Sequence, residues 1–190
     1  MYKLCKTEQS AVRQRELEKG LLKFMQTVRY EDISVSDLCQ SLQIPRKSFY
    51  RYFNSKDGAL YALLDHTLME FSGFSAEYER QGAQSVHHVL ESLFRFWMVH
   101  RELLDALSRS GITGLLIERA IAYALTEDIL PSQYISDDAP DMKRRITMFA
   151  VCGLMSMVIT WHHDGFLQPA PEMAVIALRM LKEPLFLTSK

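Results

Sequence analysis

An all-α protein with a small basic head and a larger helical body, about nine helices in total, is what this 190-residue sequence predicts. Three observations carry that prediction. Apolar residues recur at the spacing of a buried helical face along most of the chain. Gly and Pro number only 8 and 6, and clean period-two alternation, the mark of a half-buried strand, is hard to find. Residues 45–60 set four aromatics among four Lys or Arg directly after a capped apolar stretch, which calls for two opposite faces on one rod.

The first helix spans about 8–29. Leu17, Leu21, Phe24 and Val28 form its apolar stripe at i, i+4, i+7 and i+11. Gly20 inside it costs about 1 kcal/mol relative to Ala. After the loop "RYEDI", Ser34 reads as an N-cap and Asp37 as its partner three residues on, a capping-box pattern. Val35, Leu38 and Leu42 are the buried stripe of the short helix that follows. Pro45 ends any continuation, because a residue before Pro avoids the α region, and Pro suits the first position of a new helix.

That new helix, 45 to about 53, resolves the mixture of aromatics and cations. At about 100° per residue, Arg46, Tyr50, Lys47 and Arg51 share one side, while Phe53, Phe49 and Tyr52 share the other, with Ser48 at the border. The aromatics anchor the rod in a core and the cations project from it. A single α-helix of this kind fits the major groove of DNA, about 12 Å wide. "NSKDGAL" then restarts a helix with Asn54 or Ser55 as cap. Lys56 in its first turn opposes the helix dipole, an arrangement an incoming phosphate relieves.

Past residue 60 come longer amphipathic helices at about 55–80, 84–100, 101–109, 112–129, 139–163 and 171–183. Breaks fall at "RQGAQ", "SRSG", "LPSQYISDDAP" and "DGFLQPAP". The division expected is a head over residues 1–55 and a body over 56–190.

Hydrophobic content of 48% with 24% charged residues excludes wholesale disorder. Cys5, Cys39 and Cys152, odd in number and without a CxxC, make a poor disulfide framework and fit a reducing cytoplasm. The N-terminus lacks a signal-peptide run. The most apolar run, residues 148–161, falls short of the roughly 18–20 residues that span a bilayer and reads as a buried or interface helix, so no membrane partner is expected. The net charge of −1 hides an asymmetry: residues 1–60 hold 11 Lys or Arg against 7 Asp or Glu, the rest 11 against 16. A basic head on an acidic body suggests a polyanionic partner for the head.

The stretch "SVSDLCQSLQIPRKSFYRYFNSKDGALYALL", residues 34–64, closely resembles the helix-turn-helix segment of TetR-family transcriptional regulators, and the fit covers roughly residues 8–65. "FWMVHRELLDAL" and the last two helices, "GLMSMVITWHHDGF" and "PEMAVIALRML", resemble the C-terminal domain of one of its subgroups. The resemblance implies a homodimer, most often a repressor, whose two heads bind a palindromic operator in double-stranded DNA. It also implies release by a small, partly hydrophobic effector held in the C-terminal bundle. Arg46, Lys47, Ser48, Tyr50 and Arg51 fall where the family contacts DNA, and Ser34 and Lys56 where helix starts contact phosphates. The turn position often occupied by Gly is Gln43 here. If its φ is positive, the side chain costs on the order of 1 kcal/mol.

Candidate pocket residues in the body are Phe94, Trp97, Leu116, Tyr123, Met148, Cys152 and Met155, with His100 and Arg119 as polar groups for an anionic ligand. Ten methionines suit a pliable cavity; simple core packing is the competing account of each residue. A dimer seam is expected on the last two helices, at Gly153, Ser156, Met157, Thr160, Met173, Ile176 and Met180. Lys3 and Lys6 are either a minor-groove arm or part of a disordered tail. The doublets His87-His88 and His162-His163 point about 100° apart on a helix and chelate poorly, so no metal or other cofactor is expected. No nucleophile motif or paired-carboxylate signature argues for an enzyme. Two regulator readings stay open: a body switched by a small molecule, or a body switched by a partner protein.

Overall fold

The computed structural model of the chain describes residues 2–80, 85–127 and 140–182. Among them nine α-helices follow in order: α1 Glu8–Met25, α2 Val35–Ser41, α3 Arg46–Tyr52, α4 Lys56–Arg80, α5 Val86–Val99, α6 Arg101–Arg109, α7 Thr113–Thr126, α8 Pro140–His163 and α9 Ala170–Lys182. A 3-10 turn at Tyr30–Asp32 separates α1 from α2. No strand occurs among the described residues; one isolated antiparallel bridge joins Tyr2 to Phe53. The expected breaks at 80–84 and 130–140 fall largely outside the described residues.

The described residues form two compact units. One takes in the chain up to Leu68 together with Glu102–Arg119; the other takes in Met69–Arg101 and the chain from Ala120.

In the first unit, Thr7 caps α1 by accepting from the Ser10 amide. Leu17, Leu21 and Met25 on α1, Leu38 on α2, Phe49 and Phe53 around α3, and Leu60 and Leu64 on α4 are all buried. Each such large side chain contributes about 1.5–3 kcal/mol of transfer free energy. The first helix ends at Met25, four residues before the expected end, so Val28 lies beyond it and is half-buried. At that end the Arg109 guanidinium donates to the carbonyls of Met25 and Gln26, two groups that lack partners within the helix.

In the second unit α5 packs along α9. Ala170, Ala174 and Ala177 recur at i, i+4 and i+7 on the buried face of α9, and their small size lets the two helices approach closely. Phe94 meets Trp161 edge to face at 5.4 Å, and Phe96 is flanked by Phe71 and Phe74. The turn after α8 places both Gly165 and Phe166 at positive φ, with Phe166 against the Trp161 ring at 4.6 Å.

The apolar run at 148–161 sits inside α8, whose bounds match the helix expected at about 139–163. Over Asp141–His163, α8 is long and apolar enough by length and composition to cross a membrane, and 28% of its most apolar window is buried. Phe149 on this helix is 69% exposed.

Candidate nucleic-acid interface

Ser34 and Asp37 form a complete capping box at the start of α2. The Asp37 amide donates to Ser34 Oγ at 3.1 Å, and the Ser34 amide donates to Asp37 Oδ2 at 3.2 Å. The Ser34 hydroxyl also gives its proton to that carboxylate, at 2.5 Å. These bonds hold the Asp37 carboxyl below its usual range. Ser34, expected at a phosphate, therefore has its only proton directed at Asp37.

The turn closes with two bonds, Gln43 amide to Gln40 carbonyl at 3.0 Å and Ile44 amide to Cys39 carbonyl at 2.9 Å. This is a Schellman cap, whose central residue must adopt the left-handed conformation. Gln43 does so, at φ 52°, so the cost of a non-Gly residue applies. Pro45 then stands as the N-cap of α3, at φ −63° and ψ 141°, one position before the expected place.

Helix α3 separates its two faces as its spacing predicts. Phe49 and Tyr52 are buried, as is Phe53 just beyond, with the Phe49 and Phe53 rings 5.1 Å apart. Arg46, Lys47, Tyr50 and Arg51 are exposed, and Ser48 is half-exposed. Arg46 leans on Tyr50 one turn ahead, with its guanidinium 3.3 Å from the phenol oxygen and 5.9 Å from the ring centre. That contact pre-orders two long side chains on the outward face.

Lys56 lies at the start of α4, where Ser55 Oγ accepts from the Gly58 amide. Its ammonium donates to the carbonyls of Tyr30 at 2.6 Å and Glu31 at 3.3 Å, and it lies 4.3 Å from the Tyr30 ring centre. Lys56 thus ties the 3-10 turn to α4. Tyr30, which the sequence did not single out, completes the tie by donating its hydroxyl to Asp57 at 2.5 Å. Burial and that bond raise the Tyr30 phenol above its ordinary range. No local signal marks Tyr30, because its partners are 26 and 27 residues away.

The pocket candidates fall in both units. Phe94, Trp97 and Met155 are packed in the second unit, and Leu116 is packed in the first. Tyr123 shares a hydrogen bond with Ser72 at 2.7 Å. His100 lies against the Phe96 ring at 4.2 Å, Met148 is half-buried, and Cys152 is exposed because it sits on the outer side of α8. Arg119, expected to meet an anionic ligand, instead grips Asp65 with two bonds of 2.7 Å. Two concavities stand out among the described residues, and none of these nine residues lines either one.

One concavity is an open groove of about 370 Å³ between α8 and α9. Six of the seven residues expected at a dimer seam line it: Gly153, Ser156, Met157, Thr160, Met173 and Met180. The seventh, Ile176, is on α9 and 43% exposed. The other concavity lies on the head, between α1 and the end of α2.

Comparison with known proteins follows these lines. No family model matches the chain. A curated relative, the HTH-type dhaKLM operon transcriptional activator DhaS of Lactococcus lactis subsp. lactis (strain IL1403), is 30% identical over 71 residues. The match spans 37% of this chain and 38% of that protein, so the chain matches about two fifths of the relative's length. A solved structure of a dihydroxyacetone kinase operon activator DhaS superposes with a TM-score of 0.59 at 18% identity, over 88% of this chain and 93% of that one. The fatty acid degradation regulator FadR from Bacillus halodurans gives 0.60 at 14% identity, over 96% and 98%. The TetR family repressor AlkX from Dietzia sp. strain DQ12-45-1b gives 0.56 at 15% identity, over 88% and 92%. The chain has the all-α fold of these regulators.

Proposed function

We propose that this chain, which shares the fold of the TetR-family regulators, is a transcriptional regulator that binds a palindromic operator as a homodimer through α3. The observation that carries the reading is the division of α3: its aromatic side is sealed in the core of the head while Arg46, Lys47, Tyr50 and Arg51 stand exposed on the other side. Phosphate contacts supply most of the affinity, which falls steeply with salt. Side chains of α3, with Ser48 among them, read base edges in the groove. In this reading residues 1–55 are the DNA-binding head and residues 56–190 the dimerisation and switching body, and the protein acts in the cytoplasm.

The seam residues on the α8–α9 groove support self-association. The exposed apolar side of α8 is covered in this reading by a second copy rather than by lipid, since small and hydroxyl residues, Gly153, Ser156 and Thr160, interrupt it where close helix contact is needed. Two heads joined there must sit about 34–36 Å apart, or a multiple of it, to enter successive major grooves on one face.

That none of the pocket candidates lines either concavity described above favours a second reading of the switch alongside the first. A small effector needs a cavity of about 300 Å³ or more, and the groove of that size in the second unit lies on the seam. A body switched by a docked partner protein needs none. Relatives of this fold carry both signs, an operon activator and a repressor, and a promoter-reporter fusion reads the sign for this chain.

The test is binding of the purified protein to its own upstream DNA at several salt concentrations, with Arg46→Ala and Lys47→Ala alongside. Saturable, salt-steep binding by a dimer that both substitutions weaken is the expected result. Binding that is equal on all DNA and indifferent to both substitutions would overturn the reading.

A further inference from the structure

The last carbonyls of a helix have no partners within it, and in a helix of seven residues they are most of its C-terminal half. In α3 the Phe49 carbonyl is taken by the Phe53 amide at 3.1 Å. The next partners come from the other end of the head. Lys3 Nζ donates to the Tyr50 carbonyl at 2.9 Å, and the Lys3 amide donates to the Tyr52 carbonyl at 2.9 Å. One residue thus caps the recognition helix twice, once with a dipole and once with a cation placed at the negative helix end.

The segment that delivers Lys3 is itself fixed at several points. The Lys3 carbonyl accepts from Gln14 Nε2 at 3.1 Å, and Gln14 is buried on α1, where its oxygen accepts from the Cys5 thiol at 3.1 Å. Tyr2 pairs with Phe53 through the isolated bridge. Its hydroxyl donates to Asp65 Oδ2 at 2.9 Å, on the same carboxylate that Arg119 holds with two bonds. The His66 ring packs on the Tyr2 ring at 5.6 Å. Neither a disordered tail nor a free arm is arranged in this way.

We propose that Tyr2 and Lys3 are positioning residues for DNA recognition: Tyr2 anchors the segment to the Asp65–Arg119 pair, and Lys3 caps α3 and sets the angle at which Arg46, Lys47, Tyr50 and Arg51 are presented. Lys3 acts through the helix and not by touching DNA. The recognition part of this inference rests on the regulator reading above; the capping part does not.

The experiment uses the full-length chain as wild type, Lys3→Met, Lys3→Arg and Tyr2→Phe, in two arms. The first follows amide hydrogen exchange without DNA. Lys3→Met and Tyr2→Phe speed exchange in the last turn of α3 by about tenfold and leave α5 and α9 unchanged. Lys3→Arg, which keeps a cationic donor, retains most of the protection. Unchanged α3 exchange in Lys3→Met overturns the clamp, whatever the protein does with DNA.

The second arm measures binding to the upstream duplex and to a scrambled duplex of equal length across a salt series. Lys3→Met weakens the upstream complex by about fivefold or more, with the scrambled complex and the salt slope unchanged. A slope shallower by about 0.9 for each Lys3 lost makes Lys3 a phosphate contact and overturns the positioning role. Absence of binding by the wild type to either duplex overturns the regulator reading, and the exchange arm then decides the clamp alone.

Discussion

The side chain of Leu42 occupies the space beside Gly20: a β-carbon added at Gly20 would meet both terminal carbons of Leu42, one at 2.8 Å, and its Cγ at 3.1 Å. The glycine that weakens α1 is what lets the end of α2 lie against it. On propensity alone Gly20→Ala should stabilise α1 by about 1 kcal/mol, but overpacking costs about 1–3 kcal/mol. Gly20→Ala is therefore expected to lower the thermal midpoint by a few degrees. In a Leu42→Ala background the same change should raise it, a non-additivity that marks direct contact. A higher midpoint from Gly20→Ala alone would show that Leu42 yields without cost.

Gln43 holds a left-handed conformation at φ 52°, which costs an L side chain about 1–2 kcal/mol. Replacement by Gly removes that strain but loosens the unfolded chain. The balance predicted for Gln43→Gly is a gain of about 0.5–1 kcal/mol, read as a rise of about 1–4 °C in the midpoint of thermal unfolding. A fall in the midpoint would mean that the Gln43 side chain makes interactions worth more than its strain.

Ser34 and Arg46 are both expected at DNA, and their surroundings in the head differ. The Ser34 hydroxyl serves the capping box, accepting from the Asp37 amide and donating to its carboxylate. Ser34→Ala should cost about 1 kcal/mol of stability and leave the affinity for DNA nearly unchanged. Arg46→Ala should leave the midpoint nearly unchanged and weaken specific binding by about 1–3 kcal/mol if the guanidinium pairs with a base. A loss of DNA affinity in Ser34→Ala beyond that explained by its stability, with the salt slope unchanged, would make Ser34 a neutral phosphate contact.

The contrast between those two residues shows what the sequence carried. The capping box, the break at Pro45 and the two faces of α3 were legible because each signal spans a few residues and its physics is local. The Arg109 contact at the end of α1 was not, since Arg109 is more than 80 residues away. Lys56 and Arg119 were read as cations awaiting an anion. Their partners, the Tyr30 carbonyl and Asp65, are reached only through the tertiary fold. Periodicity says which side of a helix is buried, but not whether space is left over. Among the pocket candidates Phe94, Trp97, Leu116 and Met155 are buried apolar positions, whereas the seam residues lie on two helices joined by a short turn, and six of them line one groove.

Glu18 is 1% exposed on α1, and both its carboxylate oxygens lie 2.9 Å from His66 Nδ1, with Arg15 Nη1 farther off at 3.5 Å. Removing the imidazole leaves a buried carboxylate short of a hydrogen-bond partner, at a cost of about 1.5–3 kcal/mol. His66→Ala is expected near the lower figure, because Arg15 remains. Chemical denaturation at neutral pH is the measurement. A loss under about 1 kcal/mol would mean that water replaces the imidazole.

His100 ends α5 with its ring against Phe96 at 4.2 Å and near Trp97 at 6.4 Å. Burial lowers its pKa below that of an ordinary imidazole, and Glu70, 4.0 Å away, opposes the shift only in part. Because the native pKa lies below the unfolded one, the unfolded chain binds more protons as the pH falls, and stability declines with it. The contribution of His100 is fully present above about pH 6.5 and is lost as the pH falls toward its native pKa. His100→Phe keeps a ring on Phe96 and removes the proton site. Between about pH 7.5 and pH 5.5 the wild-type midpoint should fall more than that of His100→Phe. Parallel pH curves for the two proteins would show that the Glu70 carboxylate cancels the burial of the imidazole.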